Sequence, residues 1–340
     1  MSVLIVATED DVHTRAVVEE LESRGGQVAV ADLSRFPQQA DLSLHFTCCG
    51  QRDLSLSVGE DPLDLADIGS IWWRRPQQPL VDPAIHRETH RMFAANEMQE
   101  ALSGLWHALD VFWINDPARD HVAHRKVCQL RVAHEVSLRI PDTLITNNPD
   151  RARSFIDARG YTQVIYKAFS ALPEEWRETR LLRPEELALL DNVRYAPVIF
   201  QEYVEAVYDL RITVVGEHVF AAAIHSQETS YPVDFRMDMA NARVEAVELP
   251  EVVRDKLLAL MARMGLVYGA IDMRLRPDGE YVFLEINPAG QFLFIEQETG
   301  QPIAAALAET LLAHDQVGSP ELTTPRGRPE RTAADLAARP

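Results

Sequence analysis

The chain is poor in cysteine and short of basic residues. Its 340 residues include three cysteines, of which Cys48 and Cys49 are adjacent and Cys128 falls within a predicted helix. This number and spacing provide neither a disulfide framework nor a cysteine metal site, so we expect reduced thiols. Lysine and arginine total 33 against 52 aspartates and glutamates, which gives a net charge of -19. This acidity argues against nonspecific binding to nucleic acid or to anionic membranes.

Long apolar runs are also missing. No segment reaches the roughly 18 consecutive apolar residues of a membrane span, and residues 1–6 lack the basic flank of a signal peptide. We therefore expect a cytoplasmic protein with neither a membrane nor a nucleic-acid partner. The apolar fraction of 46% is ordinary for a globular enzyme, and the length suffices for two or three packed layers.

Strand and helix patterns alternate and predict an α/β (α+β) protein. The first of them form a βαβ unit, because a strand, an amphipathic helix and a second strand follow one another within residues 3–31. A helix that begins at Asp116 and Pro117 should carry Arg125 and Lys126. The remaining predicted strands are 42–46, 53–58, 68–73, 111–115, 163–169, 198–204, 209–215 and 218–224, and the other helices are 83–109, a short one from Asn148, 251–264 and 299–313.

Two segments lack an apolar face. Residues 171–194 are charged with weak periodicity, and we expect a mobile loop with short elements. The tail at 316–340 is rich in Pro, Arg, Thr and Ala, and we expect it to be disordered.

A β-hairpin near the C-terminus carries the most informative side chains. Residues 268–274 and 281–287 alternate between apolar and polar residues, and Pro277-Asp278-Gly279 supplies turn chemistry. With a period of two, Glu285 and Asn287 share one face of the second strand, and Asp272 lies on the first. Two carboxylates and an amide oxygen suit a hard cation such as Mg²⁺ that is completed by phosphate oxygens.

Other polar residues precede this hairpin in a specific order. They are Lys126 on a helix, Lys167 on a strand, the run Gln201-Glu202-Tyr203-Val204 and the run Asp209-Leu210-Arg211. In this order, together with the hairpin acids, the chain resembles the ATP-grasp ligases over residues 1–315.

Two further motifs narrow the resemblance to the ATP-grasp maturases of ribosomal peptides, of the microviridin or graspetide type. They are Ile71-Trp72-Trp73-Arg74-Arg75-Pro76 and Leu284-Glu285-Ile286-Asn287-Pro288-Ala289-Gly290-Gln291-Phe292. The resemblance implies a three-part ATP-grasp fold. Its parts would be an N-terminal pre-ATP-grasp domain at 1–115, a central subdomain at 116–200 with both lysines and the leader-peptide contact, and a C-terminal subdomain at 201–315 with the metal site.

The resemblance also implies a reaction. A carboxylate attacks the γ-phosphate of ATP, and a hydroxyl or amine then displaces phosphate from the acyl phosphate, leaving an ester or amide. Two Mg²⁺ ions at Asp272, Glu285 and Asn287 would bridge the phosphates, while Lys126 and Lys167 would neutralise other phosphate oxygens.

The remaining site roles follow from the same likeness. Adenine would lie beside the strand residues 201–204, with backbone contacts near Glu202 and Val204, and Asp209 would bind the ribose. Arg211, on the same strand face as Asp209, suits a phosphate or the substrate carboxylate, and Arg236 would face the transferred phosphate. The chain departs from many ATP-grasp enzymes in one respect, since no glycine-rich loop follows Lys167: the next glycine is Gly216.

The expected function is the closure of macrocyclic esters or amides between Asp or Glu and Thr, Ser or Lys side chains of a precursor peptide. The partners would be that peptide with its leader segment, which we expect to dock near residues 184–191, and a second copy of the chain in a homodimer. Two alternatives stay open: a ligase for a free amino acid or a protein terminus, and a nucleotide-binding module without turnover. The intact acids argue against the module.

Overall fold

The computed structural model describes residues 2–58, 61–169 and 179–315. The expected tail at 316–340 and residues 170–178 of the expected mobile loop lie outside this part of the chain. None of the helices in the described part is long and apolar enough to cross a membrane.

The N-terminal part is built on a parallel sheet with the strand order β2-β1-β6-β7. Val3 and Ile5 of the first strand pack against helices on one face, while Leu4 and Val6 pack on the other. Both faces are covered, as expected for a parallel sheet whose strands are continuously apolar. The elements are β1 (Ser2–Val6), α1 (Val12–Ser23), β2 (Val28–Ala31), β6 (Ile68–Trp73), α2 (Glu88–Ala108) and β7 (Phe112–Ile114).

A small antiparallel sheet covers one side of this core. Its strands are β3 (Leu42–Phe46), β4 (Arg52–Val58) and β5 (Asp61–Asp64). Leu54 and Leu56 of this sheet join Leu102, Leu105 and Trp106 of α2 in one hydrophobic cluster.

The central part contains a four-stranded antiparallel sheet in the order β10-β9-β11-β8. Ala152 and Ile156 of a flanking helix pack on Val164 and Phe200 of the sheet. The elements are α3 (Pro117–Ala123), α4 (Lys126–Glu135), β8 (Thr143–Thr146), α5 (Pro149–Asp157), β9 (Val164–Lys167), β10 (Arg180–Leu181), α6 (Pro184–Leu187) and β11 (Val198–Glu202).

The C-terminal part is a five-stranded antiparallel sheet in the order β14-β13-β12-β15-β16. Leu210 and Ile212 face one helix layer, whereas Tyr268 belongs to the cluster formed with the last helices and the N-terminal sheet. The elements are β12 (Tyr208–Val215), β13 (His218–Ile224), β14 (Val244–Ala246), α7 (Glu251–Met264), β15 (Tyr268–Leu275), β16 (Tyr281–Asn287), α8 (Leu293–Thr299) and α9 (Ile303–Asp315).

Several predicted elements have different limits. The single helix expected after Asp116 is two helices, because the chain turns at His124 and Arg125 and a new helix begins at Lys126. The long helix begins at Glu88, five residues later than predicted. The predicted final helix corresponds to α9, which begins at Ile303, and the short helix α8 before it was not predicted. Strands β5, β8, β10 and β14 were not predicted, since they are only two to four residues long. The predicted boundary between residues 200 and 201 falls within β11.

Candidate active site

The two hairpin acids lie directly opposite each other. Asp272 of β15 pairs in register with Glu285 of β16, and Asn287 pairs with Ala270 two positions away. Because side chains alternate along a strand, all three predicted metal ligands lie on one face of the hairpin. The Oδ1 atom of Asn287 accepts a hydrogen bond from the Ala289 amide at 3.0 Å.

Four basic side chains converge on these acids from four separate segments of the chain. Lys126, the first residue of α4, forms an ion pair with Glu285. Arg211 on β12 donates from Nη1 to Oδ1 of Asp272 at 2.9 Å. Lys167 and Arg236 line the same cleft as the two acids. The site therefore contains four cations around two carboxylates, which suits a polyanionic ligand with bound cations.

The charged groups in this cluster shift one another's pKa values. The pKa of Lys167 is lowered to about 8, chiefly by burial; the charges of Lys126 and Arg236 contribute to this lowering, and the attraction of Glu285 opposes it. Burial alone would raise the pKa of Glu285, but Lys126 and Lys167 outweigh it and lower the value to about 2. Burial raises the pKa of Asp272 despite Arg211. Glu285 is therefore the acid held most firmly as a carboxylate.

Arg236 is held in a fixed orientation by its neighbour Asp234. Its Nε donates to Oδ1 at 2.7 Å and its Nη2 to Oδ2 at 2.6 Å. These hydrogen bonds raise the pKa of Arg236, and the attraction of Glu285 and Asp272 adds to the rise. A bidentate pair fixes the plane of a guanidinium, so Arg236 enters the cleft as a permanent, oriented charge.

The cleft between the central and C-terminal sheets gathers most of the predicted nucleotide residues. Lys126 borders an adjoining small cavity with Lys167 and Gln201. The predicted residues that line the cleft itself are Lys167, Gln201, Glu202, Tyr203, Val204, Asp209, Arg236, Asp272 and Glu285.

Arg274 was not predicted and organises the side of this cleft that contains Val204 and Asp209. Only 4% of this residue is exposed, and its Nε donates to Oδ1 of Asp209 at 2.7 Å while Nη1 donates to the Val204 carbonyl at 2.8 Å. Ser226 donates to the other oxygen of Asp209. The carboxylate expected to bind ribose is thus engaged by the protein, and its ribose role stays a prediction. Arg274 follows Asp272 by two residues, so strand alternation alone could have placed it on the same face.

The two motifs that define the resemblance touch each other. Arg74, only 1% exposed, donates from Nε to Asp11 at 3.1 Å and from Nη1 to the Gly290 carbonyl at 3.0 Å. Tyr268 donates its hydroxyl to the same carbonyl at 2.8 Å. An added Cβ at Gly290 would meet the Cβ of Ala270 at 2.3 Å. The N-terminal sheet therefore positions the loop that follows Asn287.

The two tryptophans of the first motif pack differently, because Trp72 is buried and Trp73 is half-buried. Trp72 is 1% exposed, and Trp73 makes edge-to-face contacts with Trp106 and Trp113 at centroid distances of 5.6 and 6.2 Å. These rings fix the end of β6 from which the two arginines of the motif emerge.

The scarcity of lysine in the sequence is a second feature that could have indicated the site. The whole chain has three lysines, Lys126, Lys167 and Lys256, and arginine supplies the other basic positions. Of these, Lys167 lines the cleft, and Lys126 borders the small cavity beside it. A compact ammonium with three donors fits between phosphate and carboxylate oxygens where a planar guanidinium would not.

Sequence comparison assigns the chain to a class. The profile of the RimK-like ATP-grasp domain matches residues 123–311, and that of the MvdD pre-ATP grasp domain matches residues 2–121. The chain therefore belongs to the ATP-grasp family and is an ADP-forming ligase. The expected pre-ATP-grasp and ATP-grasp architecture is confirmed.

Several similar solved structures are enzymes of peptide maturation. Macrocyclase MdnC from Microcystis aeruginosa MRC, bound with precursor peptide MdnA, is 32% identical, with a TM-score of 0.82 over 92% of this chain and 100% of that one. The RiPP-associated ATP-grasp ligase of Chryseobacterium gregarium, in complex with ADP and a leader and core peptide, is 29% identical, with a TM-score of 0.83 over 92% and 97%. PsnB, complexed with minimal precursor, Mg and ADP, is 25% identical, with a TM-score of 0.76 over 92% and 97%. A comparison with curated proteins found no match.

Proposed function

We propose that this enzyme uses ATP to join Asp or Glu side chains of a ribosomal precursor peptide to Thr, Ser or Lys side chains of the same peptide, which closes macrocyclic esters or amides. The observation that supports this most is the opposed pair Asp272 and Glu285 with four cations around it. The chain is also similar to solved ligases that are bound to precursor peptides. These relatives do not favour a free amino acid or a protein terminus as substrate.

The residues suit a reaction through an acyl phosphate. A carboxylate oxygen of the peptide attacks the γ-phosphorus of ATP and ADP leaves; the acceptor oxygen or nitrogen then attacks the acyl carbon, phosphate leaves, and the acceptor loses its proton. No protein nucleophile is needed. Lys126 and Lys167 would neutralise phosphate oxygens, and Arg211 and Arg236 would stabilise the charge of the transferred group.

The metal ligands fit Mg²⁺ better than a transition metal. In the described part of the chain, no three His, Cys, Asp or Glu side chains converge as a metal cluster. Two carboxylates with an amide oxygen leave positions for phosphate and water, which is how Mg²⁺ is held beside nucleotides. Asp272, Glu285 and Asn287 would hold two ions, which supply charge neutralisation between the phosphates.

Adenine would lie against residues 201–204. The Tyr203 amide donates to the Gln163 carbonyl at 2.8 Å and the Glu202 amide to the Asp142 carbonyl at 2.9 Å, so both hold this segment to the central sheet. The Val204 carbonyl is bound by Arg274, which leaves the Val204 amide as the donor to the adenine ring.

Trapping of the activated carboxylate tests this function. The enzyme would be incubated with ATP, Mg²⁺, the precursor peptide and hydroxylamine, which intercepts acyl phosphates as hydroxamates. We expect ADP release together with peptide hydroxamates on Asp or Glu. Release of AMP, or a free amino acid that replaces the peptide, would contradict the proposal.

The leader segment of the peptide would dock on the central part near residues 184–191. Glu185 is exposed, and Leu189 is 58% exposed beside it, so this surface offers a charge and an apolar contact. Glu186 is a weaker candidate, because its carboxylate is bound by Tyr166 at 2.6 Å and by Arg180 at 2.8 Å. Glu185→Lys should weaken leader binding and leave ATP affinity unchanged, whereas Glu217→Lys in the β12–β13 turn should alter neither.

A homodimer would use the first turns of α2. Met92 and Phe93 of this helix are large apolar residues, and they are 59% and 66% exposed. Two large apolar side chains side by side favour a protein contact. Sedimentation should show a dimer for the wild type and for Glu217→Lys in the β12–β13 turn, and a monomer for Phe93→Glu. An ATP-dependent enzyme that modifies a ribosomal product is expected in the cytoplasm.

A further inference from the structure

A wide groove opens beside the catalytic cleft. Its volume is about 1160 Å³, and it runs between the segment after β6, one side of α2 and helix α3. The apolar part of its wall is formed by Leu102, Trp106 and Pro76. Side-chain amides are contributed by Gln77, Gln78 and Gln99. Asn287 and Ala289 close its inner end, so the groove meets the metal face of the hairpin. Its size and mixed lining suit a peptide segment.

Arg75 is the cation that stands where the groove meets the active site. Its Nε donates to the Ala289 carbonyl at 2.8 Å, and the residue is exposed on the groove side. Its backbone has φ of 47°, a conformation that costs an L-residue other than glycine about 1 kcal/mol. Hydrogen bonding through Nε leaves the two terminal nitrogens of the guanidinium to face the groove.

The charge around Arg75 is unbalanced. Arg74 pairs with Asp11 at 3.1 Å and Arg211 with Asp272 at 2.9 Å, but no carboxylate lies within ion-pair distance of Arg75 in the ranges 2–58, 61–169 and 179–315. Partial burial lowers the pKa of Arg75, and the charge of Arg74 contributes to the same shift, so the surroundings favour an incoming anion. Arg211 is close by, because it holds the Gln291 carbonyl at 2.8 Å while Arg75 holds that of Ala289.

We propose that Arg75 binds the donor carboxylate, the Asp or Glu side chain of the peptide that is to be phosphorylated, at the inner end of this groove. This inference rests on the proposed peptide substrate and adds the place where the reacting side chain is selected. A guanidinium fork pairs with a carboxylate in two parallel hydrogen bonds. Arg211 and the metal face then lie on the far side of that carboxylate, towards the nucleotide cleft. The peptide reaches the active site along the groove beside the N-terminal part of the enzyme, and ATP enters from the opposite side.

The assignment also explains why the motif has two successive arginines. Arg74 points inward and fastens the 289–290 loop, and the left-handed backbone at Arg75 turns the second guanidinium outward into the groove. Each arginine holds the same loop, so the anchor for the peptide and the ligand Asn287 are fixed to one rigid segment.

A binding cycle tests the role of Arg75 separately from the proposed function. Affinity would be measured by fluorescence anisotropy for the labelled precursor peptide and for the same peptide with its reacting glutamates or aspartates changed to the amides. The leader contributes equally to both peptides, so their ratio isolates the carboxylate. We expect the wild type to bind the acidic peptide about 10- to 100-fold more tightly than the amide peptide, because a charged hydrogen-bonded pair contributes that much affinity. Gln78→Ala, a variant in the same groove, should show the same preference. Arg75→Ala should bind both peptides equally, and Arg75→Lys should retain part of the preference.

Two results would overturn this assignment in different ways. If Arg75→Ala keeps the wild-type preference while the wild type releases ADP with the peptide, the donor carboxylate binds elsewhere and the proposed function stands. If the wild type releases no ADP with the acidic peptide, the proposed function fails and this inference fails with it. An unchanged affinity of Arg75→Ala for a nonhydrolysable ATP analogue shows that the variant is folded.

Discussion

Arg211 and Asp272 are partners across neighbouring strands, and their side chains are joined by a hydrogen bond of 2.9 Å between Nη1 and Oδ1. The other side of the guanidinium donates to the Gln291 carbonyl, and its Nε is buried without a hydrogen bond in the described part of the chain. Arg211 thus connects a proposed metal ligand with the loop that faces the peptide groove.

The position of Arg211 predicts a separation of nucleotide binding from acyl transfer. Arg211→Ala should leave the affinity for ATP nearly normal and reduce product formation by about 100-fold or more, because it stabilises the transferred group. Lys126→Ala should instead weaken the binding of ATP. The ATP affinity of both variants would be measured by calorimetry with a nonhydrolysable analogue. Their product formation would be measured by activity assays. Equal losses of ATP affinity would show that Arg211 binds the nucleotide instead.

The metal assignment predicts that the charge of Glu285 is essential. Glu285→Gln keeps the shape of the side chain but removes the carboxylate that Lys126 and Lys167 hold ionised, so turnover should fall about 100-fold or more. The variant should still fold, but its melting temperature should fall, because Lys126 loses its charged partner. Glu280→Gln, at an exposed position of the same hairpin, is the control and should be fully active. Normal activity of Glu285→Gln at ordinary Mg²⁺ concentrations would remove Glu285 from the metal site.

Gly290 is predicted to be irreplaceable because of close packing. In Gly290→Ala the new methyl group would lie 2.3 Å from the Ala270 Cβ and 2.9 Å from Nη2 of Arg211. The loop must move, so we expect a loss of about 1 to 3 kcal/mol in unfolding free energy and a loss of activity. Gly104→Ala in α2 meets no atom within 4 Å and should stabilise the helix slightly. Urea denaturation of both variants decides whether packing is the cause.

His13 predicts a loss of stability in mild acid. Burial and the charge of Arg74 lower its pKa from 6.5 to about 4. Between these values the unfolded chain binds a proton that the folded chain does not, so stability is complete above pH 6.5 and falls as the pH drops towards 4. The slope from this group is at most about 1.4 kcal/mol per pH unit. His13→Gln should flatten the curve of urea midpoint against pH, whereas His86→Gln at an exposed site should not. An unchanged slope in His13→Gln would exclude His13 as the source.

Local patterns in the sequence predicted the C-terminal hairpin well. The predicted helix Glu251–Met264 has the limits of α7, and the strand alternation around Asp272 and Glu285 correctly placed both acids on one face. These features depend on residues close together in the chain. The order of charged residues then indicated the family, and the comparisons confirm it.

Contacts between distant segments could not be predicted in this way. Nothing local reveals that Arg74 reaches the Gly290 carbonyl, 216 residues away, or that Arg274 bridges Asp209 and Val204. The break between α3 and α4 also lacks a glycine or proline signal, since it falls at His124 and Arg125. The roles of single site residues and the domain boundaries stay predictions.

Mass spectrometry of the precursor peptide tests the central claim most directly. The peptide would be incubated with the enzyme, ATP and Mg²⁺, and with Glu285→Gln in parallel. We predict that the wild type removes the mass of one water for each bond formed, that fragmentation places each bond between an Asp or Glu and a Thr, Ser or Lys, and that Glu285→Gln leaves the peptide unchanged. A peptide that keeps its mass while ATP is consumed, or that gains the mass of an added amino acid, would contradict the account.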